Sequence, residues 1–198
     1  KGGVGKSSVS VNLALSLQAQ GARVGILDAD IYGPSIPHML GAPHQRPTSP
    51  DNQHITPIKA HGLSANSIGF LMDEDNATIW RGPMASSALS QLLNETLWDS
   101  LDYLVIDMPP GTGDIQLTLS QQIPVTGAVV VTTPQDIALL DAVKGVSMFE
   151  RVSVPVLGIV ENMSMHICSN CGHHEAIFGT GGAEKMAQKY NVKVLGQL

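Results

Sequence analysis

The stretch KGGVGKSS, residues 1–8, decides the fold that the sequence predicts. It fits the end of the phosphate-loop pattern G-x-x-x-x-G-K-[ST], provided that a glycine stands before Lys1. Glycines in such a loop let successive backbone N–H groups curl round a phosphate, and the helix that follows adds its dipole. We therefore predict that nucleotide phosphates are bound by Gly2, Gly3, Val4, Gly5, Lys6, Ser7 and Ser8.

Two side chains of this loop are predicted to contact particular groups of the nucleotide complex. Lys6 would neutralise the charge of the β- and γ-phosphates, and Ser7 would ligate Mg²⁺. A plain glycine-rich turn with a solvated lysine is the alternative interpretation. It is disfavoured because the loop leads into a helical pattern and that helix into an apolar strand, which is the context that the motif requires.

Short β-branched runs alternate with longer segments of helical period along the rest of the chain. This alternation is typical of an α/β fold with a mostly parallel sheet flanked by helices, whose first strand this chain lacks. The predicted strands are 23–28, 103–107, 127–132, 156–161 and 192–195. The predicted helices are 8–20, 86–98, 115–122, 135–151 and 182–190.

Residues 41–62 interrupt the alternation, since they combine prolines and histidines with other polar residues. We interpret them as a surface excursion from a single phosphate-loop ATPase domain that occupies residues 1–198. A weak strand signal over 55–68 allows a short hairpin, but no two-residue turn dipeptide fixes it. Because the chain opens without a methionine and stops directly after a predicted strand, we expect a domain truncated at both ends.

Carboxylates follow two of the predicted strands at the sheet edge where this type of fold binds its ligand. Asp28 and Asp30 end the first strand, and Asp107 ends the strand LVID. Asp28 would support the metal shell, Asp30 would orient the attacking water, and Asp107 would hold Mg²⁺ directly or through water. An aspartate at a strand end is by itself more often a turn or helix cap, so these assignments depend on the phosphate loop.

Composition and charge argue against two classes of partner. The formal net charge is −6 and the few basic residues are scattered, whereas nucleic-acid binding needs clustered Lys and Arg. The longest apolar stretches fall far short of the ~20 residues that cross a bilayer, and no signal peptide opens the chain. We therefore predict a cytoplasmic protein that binds neither nucleic acid nor membrane.

The segment 166–175 holds the two cysteines of the chain, Cys168 and Cys171, together with three histidines. One C-x-x-C supplies two of the four ligands that a tetrahedral thiolate site or a cubane cluster needs. A second copy of the chain across a two-fold axis would supply the other two. Alternatively, histidines would complete a Cys₂His₂ zinc site within one chain, or the thiols would be free or redox-active. The histidines are His166, His173 and His174.

The motifs KGGVGKSS, ILDADIYGPSIP, IDMPPGTGD, TTPQDIAL, ENMS and CSNCG occur in this order along the chain. Together they resemble the Mrp/ApbC family of iron–sulfur cluster carrier ATPases, within the larger group that includes MinD and the nitrogenase iron protein. The resemblance covers essentially the whole chain. It is specific, because the wider group shares the phosphate loop but not the cysteine pair after ENMS.

The resemblance implies a homodimer that binds and slowly hydrolyses ATP with Mg²⁺, holds a [4Fe–4S] cluster between its subunits and transfers it to apo iron–sulfur proteins. It implies catalytic roles for Lys1, which reaches the partner subunit's nucleotide, for Lys6 and for Asp30. It further implies that Asn162 contacts adenine. Cys168 and Cys171 would ligate the cluster, and Zn²⁺ could occupy the same site.

Two other functions stay open at this point. The deviant phosphate loop alone would also suit a positioning ATPase of the MinD or ParA kind, which predicts an amphipathic tail or a basic patch; the sequence contains neither. An ATPase with a purely structural zinc site is the other alternative. Metal content after anaerobic purification separates this last function from the cluster carrier.

Overall fold

In the computed structural model the residues described are 2–71 and 82–198. The chain divides into two compact units. One consists of Ser7–Pro110, and the other combines Lys1–Lys6 with Gly111–Leu198.

The unit Ser7–Pro110 is built on a four-stranded sheet. Its elements in chain order are α1 (Lys6–Ala19), β1 (Val24–Asp28), α2 (Ile36–Met39), β2 (Ile58–Ala60), β3 (Leu63–Ser67), a 3₁₀ turn (Ile68–Phe70), α3 (Gly82–Asn94) and β4 (Tyr103–Asp107). The strand order is β2-β3-β1-β4. Strands β3 and β4 run parallel to β1 on its two sides, and β2 is antiparallel to β3 at the edge.

Apolar side chains of α1, β1 and β3 form the core of this unit. Strand β1 is buried at every position, which explains why its sequence VGILD is apolar almost throughout instead of alternating. Ala14, Leu63 and Phe70 are completely buried in the same cluster. Burial of a leucine or phenylalanine side chain contributes about 1.5–3 kcal/mol. The cluster therefore holds β1 firmly, and with it Asp28 at the carboxyl end of the strand.

Strands β2 and β3 form the hairpin that the sequence indicated only weakly. Ala60 pairs with Leu63 across the turn His61-Gly62, in which φ is 51° and 80°. Two successive positive φ angles are the pattern of a type I′ turn, so the inference that no two-residue turn fixes this hairpin is wrong. The signal was missed because His61 stands where asparagine or aspartate is usual. The predicted surface excursion 41–62 thus includes β2, an edge strand of the sheet.

We expect Gly62→Ala to lower the free energy of unfolding by about 1–2 kcal/mol, the cost of a left-handed conformation in a residue with a Cβ. The added Cβ would also lie 2.6 Å from the Gln18 side-chain nitrogen, so that side chain must move. Urea denaturation followed by circular dichroism measures the effect. An unchanged denaturation midpoint would contradict the turn geometry.

Helix α3 lies four residues earlier than the predicted helix 86–98, so both predicted ends are wrong. The N–H of Ile55 donates to the carbonyl of Glu95, and the N–H of Leu97 donates to the carbonyl of Ile55, each at 2.8 Å. This long-range pairing occupies backbone groups that another helical turn would need. Trp98 therefore lies beyond the helix. The other predicted helices and strands agree with the structure to within two residues at each end.

The other unit carries a three-stranded parallel sheet and a small hairpin. Its elements are α4 (Asp114–Gln122), β5 (Ala128–Thr132), α5 (Asp136–Arg151), β6 (Val156–Glu161), β7 (His166–Ile167), β8 (His174–Glu175), α6 (Gly182–Tyr190) and β9 (Val194–Gln197). The sheet order is β5-β6-β9, and β7 pairs antiparallel with β8 in a separate hairpin. Val146, Ile159 and Ala183 are completely buried where α5 and α6 pack on the sheet. The predicted α/β fold with a mostly parallel sheet is confirmed.

Glu161, the last residue of β6, is a buried carboxylate that caps the start of helix α6. It accepts the backbone N–H of Ala183 at 2.8 Å in the first turn of α6, and the side-chain amide of Gln197 at 3.1 Å. The residue before α6, Gly181, has no side chain with which to cap the helix. The carboxylate therefore satisfies an N–H group at the helix start that has no partner within the helix.

Helix length bears on whether the chain could cross a membrane. Among residues 2–71 and 82–198, no helix combines the length and the apolar character of a membrane span. Helix α5 has 16 residues, fewer than the ~20 that a bilayer needs.

Candidate functional site

The phosphate loop has the backbone conformation that its glycines predict. Gly3 and Gly5 have φ of 85° and 83°, in the left-handed region that glycine adopts without strain. Among the residues that the structure describes, a Cβ placed on Gly2 or Gly3 would meet no atom within 4 Å. An open cradle of backbone N–H groups suits a bound phosphate. Lys1 lies outside the described residues, and its role stays a prediction.

Helix α1 begins at Lys6, two residues before the predicted start. The side chains assigned to phosphate and Mg²⁺, those of Lys6, Ser7 and Ser8, therefore all stand in its first turn. N–H groups in that turn lack partners within the helix, and the helix dipole is positive there. The N-terminus of α1 is thus suited to bind an anion.

Two carboxylates lie side by side in the unit Ser7–Pro110. Asp28 ends β1 and Asp107 ends β4, and the two residues are direct partners in the strand register. Both are fully buried. Burial raises the pKa of Asp28 to about 6, and the nearby charge of Asp107 acts in the same direction. The two acids that the sequence analysis placed at strand ends are thus neighbours in the fold.

Serine hydroxyls and backbone N–H groups donate hydrogen bonds to this carboxylate pair. Asp28 accepts bonds of 3.1 Å from the Ser67 hydroxyl and from two backbone N–H groups. Asp107 Oδ1 accepts the Ser10 hydroxyl at 3.1 Å. Ser7 stands three residues before Ser10 and therefore shares its face of α1. The carboxylate and hydroxyl oxygens of Asp107 and Ser7 are the hard ligands that Mg²⁺ prefers.

Asp30 has a structural partner in the turn that follows β1. Its Oδ1 accepts the N–H of Gly33 at 3.2 Å, and its own N–H donates to Asp28 Oδ1 at 3.1 Å. This is the turn-capping role that an aspartate at a strand end commonly has. Its assignment to the attacking water stays a prediction.

Asn162 contacts the phosphate loop itself. Its side-chain Nδ2 donates to the carbonyl of Val4 at 2.9 Å, and its N–H donates to the carbonyl of Thr132 at 2.8 Å. The contact is close enough that a Cβ on Gly5 would lie 2.2 Å from Nδ2. This bond was not predicted. The contact with adenine stays a prediction.

The cysteine pair lies at the tip of the β7–β8 hairpin. The N–H of Cys168 donates to the carbonyl of His173 at 2.9 Å, and the N–H of Gly172 donates to the carbonyl of Cys168 at 2.8 Å. Gly172 has φ of 70°, which lets the chain turn back tightly after Cys171. The hairpin thus presents both thiols from one short loop. Its strands were missed because two-residue strands with exposed side chains have no periodic signal.

Backbone N–H groups of this loop lower the pKa of Cys168. Its pKa is lowered, chiefly by the N–H of Cys171, with further contributions from the N–H of Asn170 and the Cys171 thiol. Both cysteines are free, and Cys171 is exposed. A thiolate is the form of cysteine that binds metals.

The histidines do not complete a four-ligand site with this pair. Among the described residues, which include the whole of 166–175, no group of three or more His, Cys, Asp and Glu side chains is arranged to hold a metal ion. The choice between a shared site and the Cys₂His₂ alternative stays a prediction.

Comparison with protein families gives a match along the whole chain. A family model described as NUBPL iron-transfer P-loop NTPase matches residues 1–198. An iron-sulfur cluster carrier protein from Haemophilus influenzae is 96% identical, with all of this chain covering 54% of that protein. An iron-sulfur cluster transfer protein, NUBPL, from Mus musculus is 52% identical, with all of this chain covering 62% of it. The chain thus spans little more than half the length of these curated relatives.

Solved structures with the same fold include a nucleotide-binding protein from Archaeoglobus fulgidus in complex with ADP, in which cobalt was found. It is 40% identical, with a TM-score of 0.87, and this chain covers 77% of it. The cell division ATPase MinD from Pyrococcus furiosus has a TM-score of 0.65 at 20% identity, with 78% of it covered. At that identity the likeness to MinD concerns the fold alone.

Proposed function

Because this chain belongs to the NUBPL iron-transfer P-loop NTPase family, we propose that it is the ATPase part of an iron–sulfur cluster carrier. In this proposal the protein acts as a homodimer in the cytoplasm. It binds and slowly hydrolyses ATP with Mg²⁺, holds a [4Fe–4S] cluster as its cargo, and transfers the cluster to apo iron–sulfur proteins. Neither nucleic acid nor membrane is a partner.

The observation that carries the proposal is the prepared cysteine pair. Cys168 and Cys171 stand in one loop, and backbone N–H groups stabilise the thiolate of Cys168. A cubane cluster takes four cysteine ligands, and one chain contributes two. Two copies related by a two-fold axis would supply all four. A cluster held at a subunit interface by two ligands from each side is suited to release as well as to binding.

The nucleotide part of the proposal assigns each residue by the motif it belongs to. Gly2, Gly3, Val4 and Gly5 would bind phosphates through backbone N–H groups, Lys6 through its ammonium group, and Ser8 in the first turn of α1. Ser7 and Asp107 would hold Mg²⁺, which when bound neutralises phosphate charge. Lys1 would act on the partner subunit's nucleotide, and Asn162 would contact adenine.

Anaerobic reconstitution of the full-length protein with iron and sulfide tests the cluster assignment. We expect about four iron and four sulfide per dimer, with the brown absorbance of a cluster. Iron, sulfide and zinc analysis of the same sample gives the result. Stoichiometric zinc with no reconstitutable iron would contradict the carrier function and support a structural zinc site.

We expect Asp30→Asn to slow ATP hydrolysis about tenfold while leaving ATP affinity unchanged, since it weakens the hydrogen bond that would orient the attacking water. Steady-state phosphate release and nucleotide titration of full-length protein measure the two quantities. Asp102→Asn is the matched control, because Asp102 pairs with Arg23 on the surface at the opposite end of β4. Equal turnover in both variants would rule out this role for Asp30.

A further inference from the structure

The Asn162 side chain joins the phosphate loop to the strand that leads to the cysteines. Asn162 follows β6 directly, and its amide donates to the Val4 carbonyl at 2.9 Å. Val4 is buried between Gly3 and Gly5, the two left-handed glycines of the loop. The carbonyl of Val4 therefore belongs to the same peptide framework as the loop N–H groups that would bind a phosphate.

The chain from Asn162 to Cys168 is short and held at its start. Met163 has φ of 57°, a left-handed conformation that is uncommon for a residue with a Cβ. Both the N–H and the hydroxyl of Ser164 donate to the carbonyl of Leu198, at 2.8 and 2.9 Å. Strand β7 begins two residues later and ends next to Cys168. A shift of Asn162 would therefore be passed along a constrained backbone instead of being absorbed by a free loop.

From this arrangement we infer that Asn162 is a positioning residue that couples nucleotide occupancy of the phosphate loop to metal binding at Cys168 and Cys171. The inference rests on the proposed function, since it needs both ligands. The bond from Asn162 to Val4 differs in length or direction between the nucleotide-bound and nucleotide-free loop, and the segment 163–167 carries the difference to the thiols. Coupling of this kind is reciprocal, so a bound cluster changes nucleotide affinity by the same factor.

The test is the ratio of two dissociation constants, measured with a fluorescent ADP analogue on full-length protein without a cluster and after anaerobic [4Fe–4S] loading. We expect the ratio to differ from one by about fivefold or more in the wild type. Asn162→Asp keeps the shape but loses the N–H donors, and its ratio should fall to about one. Asn94→Asp is the matched control, because Asn94 makes the same kind of bond, to the Ser90 carbonyl at 2.9 Å, on the surface. Its ratio should equal that of the wild type.

A second variant tests the segment 163–167 that connects Asn162 to the cysteines, and it leaves the Asn162 side-chain amide in place. Met163→Gly accepts the left-handed conformation without strain and loosens the backbone, so the ratio should again approach one. A uniform loss of nucleotide affinity, such as a lost adenine contact would cause, changes both constants and not their ratio. A wild type that binds both ligands with a ratio of one, or an Asn162→Asp protein that keeps the wild-type ratio, would overturn the coupling alone. A wild type that fails to bind nucleotide or load a cluster would overturn the proposed function, and the coupling with it.

Discussion

Full-length protein carrying Cys168→Ser is expected to load no iron–sulfur cluster and to bind nucleotide as tightly as the wild type. The N–H groups of Asn170 and Cys171 favour a thiolate at Cys168, and a serine hydroxyl does not ionise near neutral pH. The variant also removes one thiolate from each chain, which leaves a dimer with two of the four ligands that a cubane needs. We expect iron and sulfide content to fall at least about tenfold, measured by chemical analysis after anaerobic reconstitution.

Two further variants show whether the missing thiol group causes the loss of the cluster. Cys171→Ser should give the same loss, because the cubane needs both cysteines of each chain. Ser169→Ala lies between them on the exposed loop and should load a full cluster. If Cys168→Ser retained the cluster, its ligands would have to lie elsewhere in the protein. If all three variants lost it, the loop would matter for its conformation and not for its thiols.

The sequence predicted the parallel strands best where the apolar run is sharply bounded. Strand β4 and strand β6 have the predicted limits, and each ends in an acid, Asp107 or Glu161. Asp28 and Asp107 could be placed together because the carboxyl ends of neighbouring parallel strands meet at one edge. Local pattern and the geometry of the sheet carry this information, so no knowledge of distant contacts was needed.

Features that depend on contacts between residues far apart in sequence could not be predicted from the local sequence pattern. Helix α3 ends early because Ile55 pairs with the backbone of Glu95 and Leu97, a contact that no window of sequence contains. The bond from Asn162 to Val4 joins residues that are 158 positions apart. The motif ENMS marked Asn162 as a site residue through a family resemblance. Its actual partner on the phosphate loop depends on how strand β6 and the loop meet.

Gly5→Ala is expected to weaken nucleotide binding roughly 30- to 100-fold, which corresponds to about 2–3 kcal/mol. Gly5 has φ of 83°, and a residue with a Cβ pays roughly 1–2 kcal/mol for that conformation. The new Cβ would lie 2.2 Å from Asn162 Nδ2, so the amide must move and lose its bond to the Val4 carbonyl. A lost hydrogen bond of this kind costs about 1 kcal/mol more. Both costs fall on the loop conformation that the phosphates require.

Gly21→Ala separates a specific effect on the phosphate loop from general strain. Gly21 has φ of 92°, yet a Cβ there would meet no atom of the described residues within 4 Å, and Gly21 follows the end of α1 far from the loop in sequence. The control should therefore lose about 1–2 kcal/mol of unfolding free energy and keep its nucleotide affinity. Calorimetric titration of ADP into both full-length variants gives the comparison. Equal affinity in Gly5→Ala and Gly21→Ala would mean that the phosphates do not depend on the conformation of Gly5, and the assignment of this loop as the nucleotide site would then be wrong.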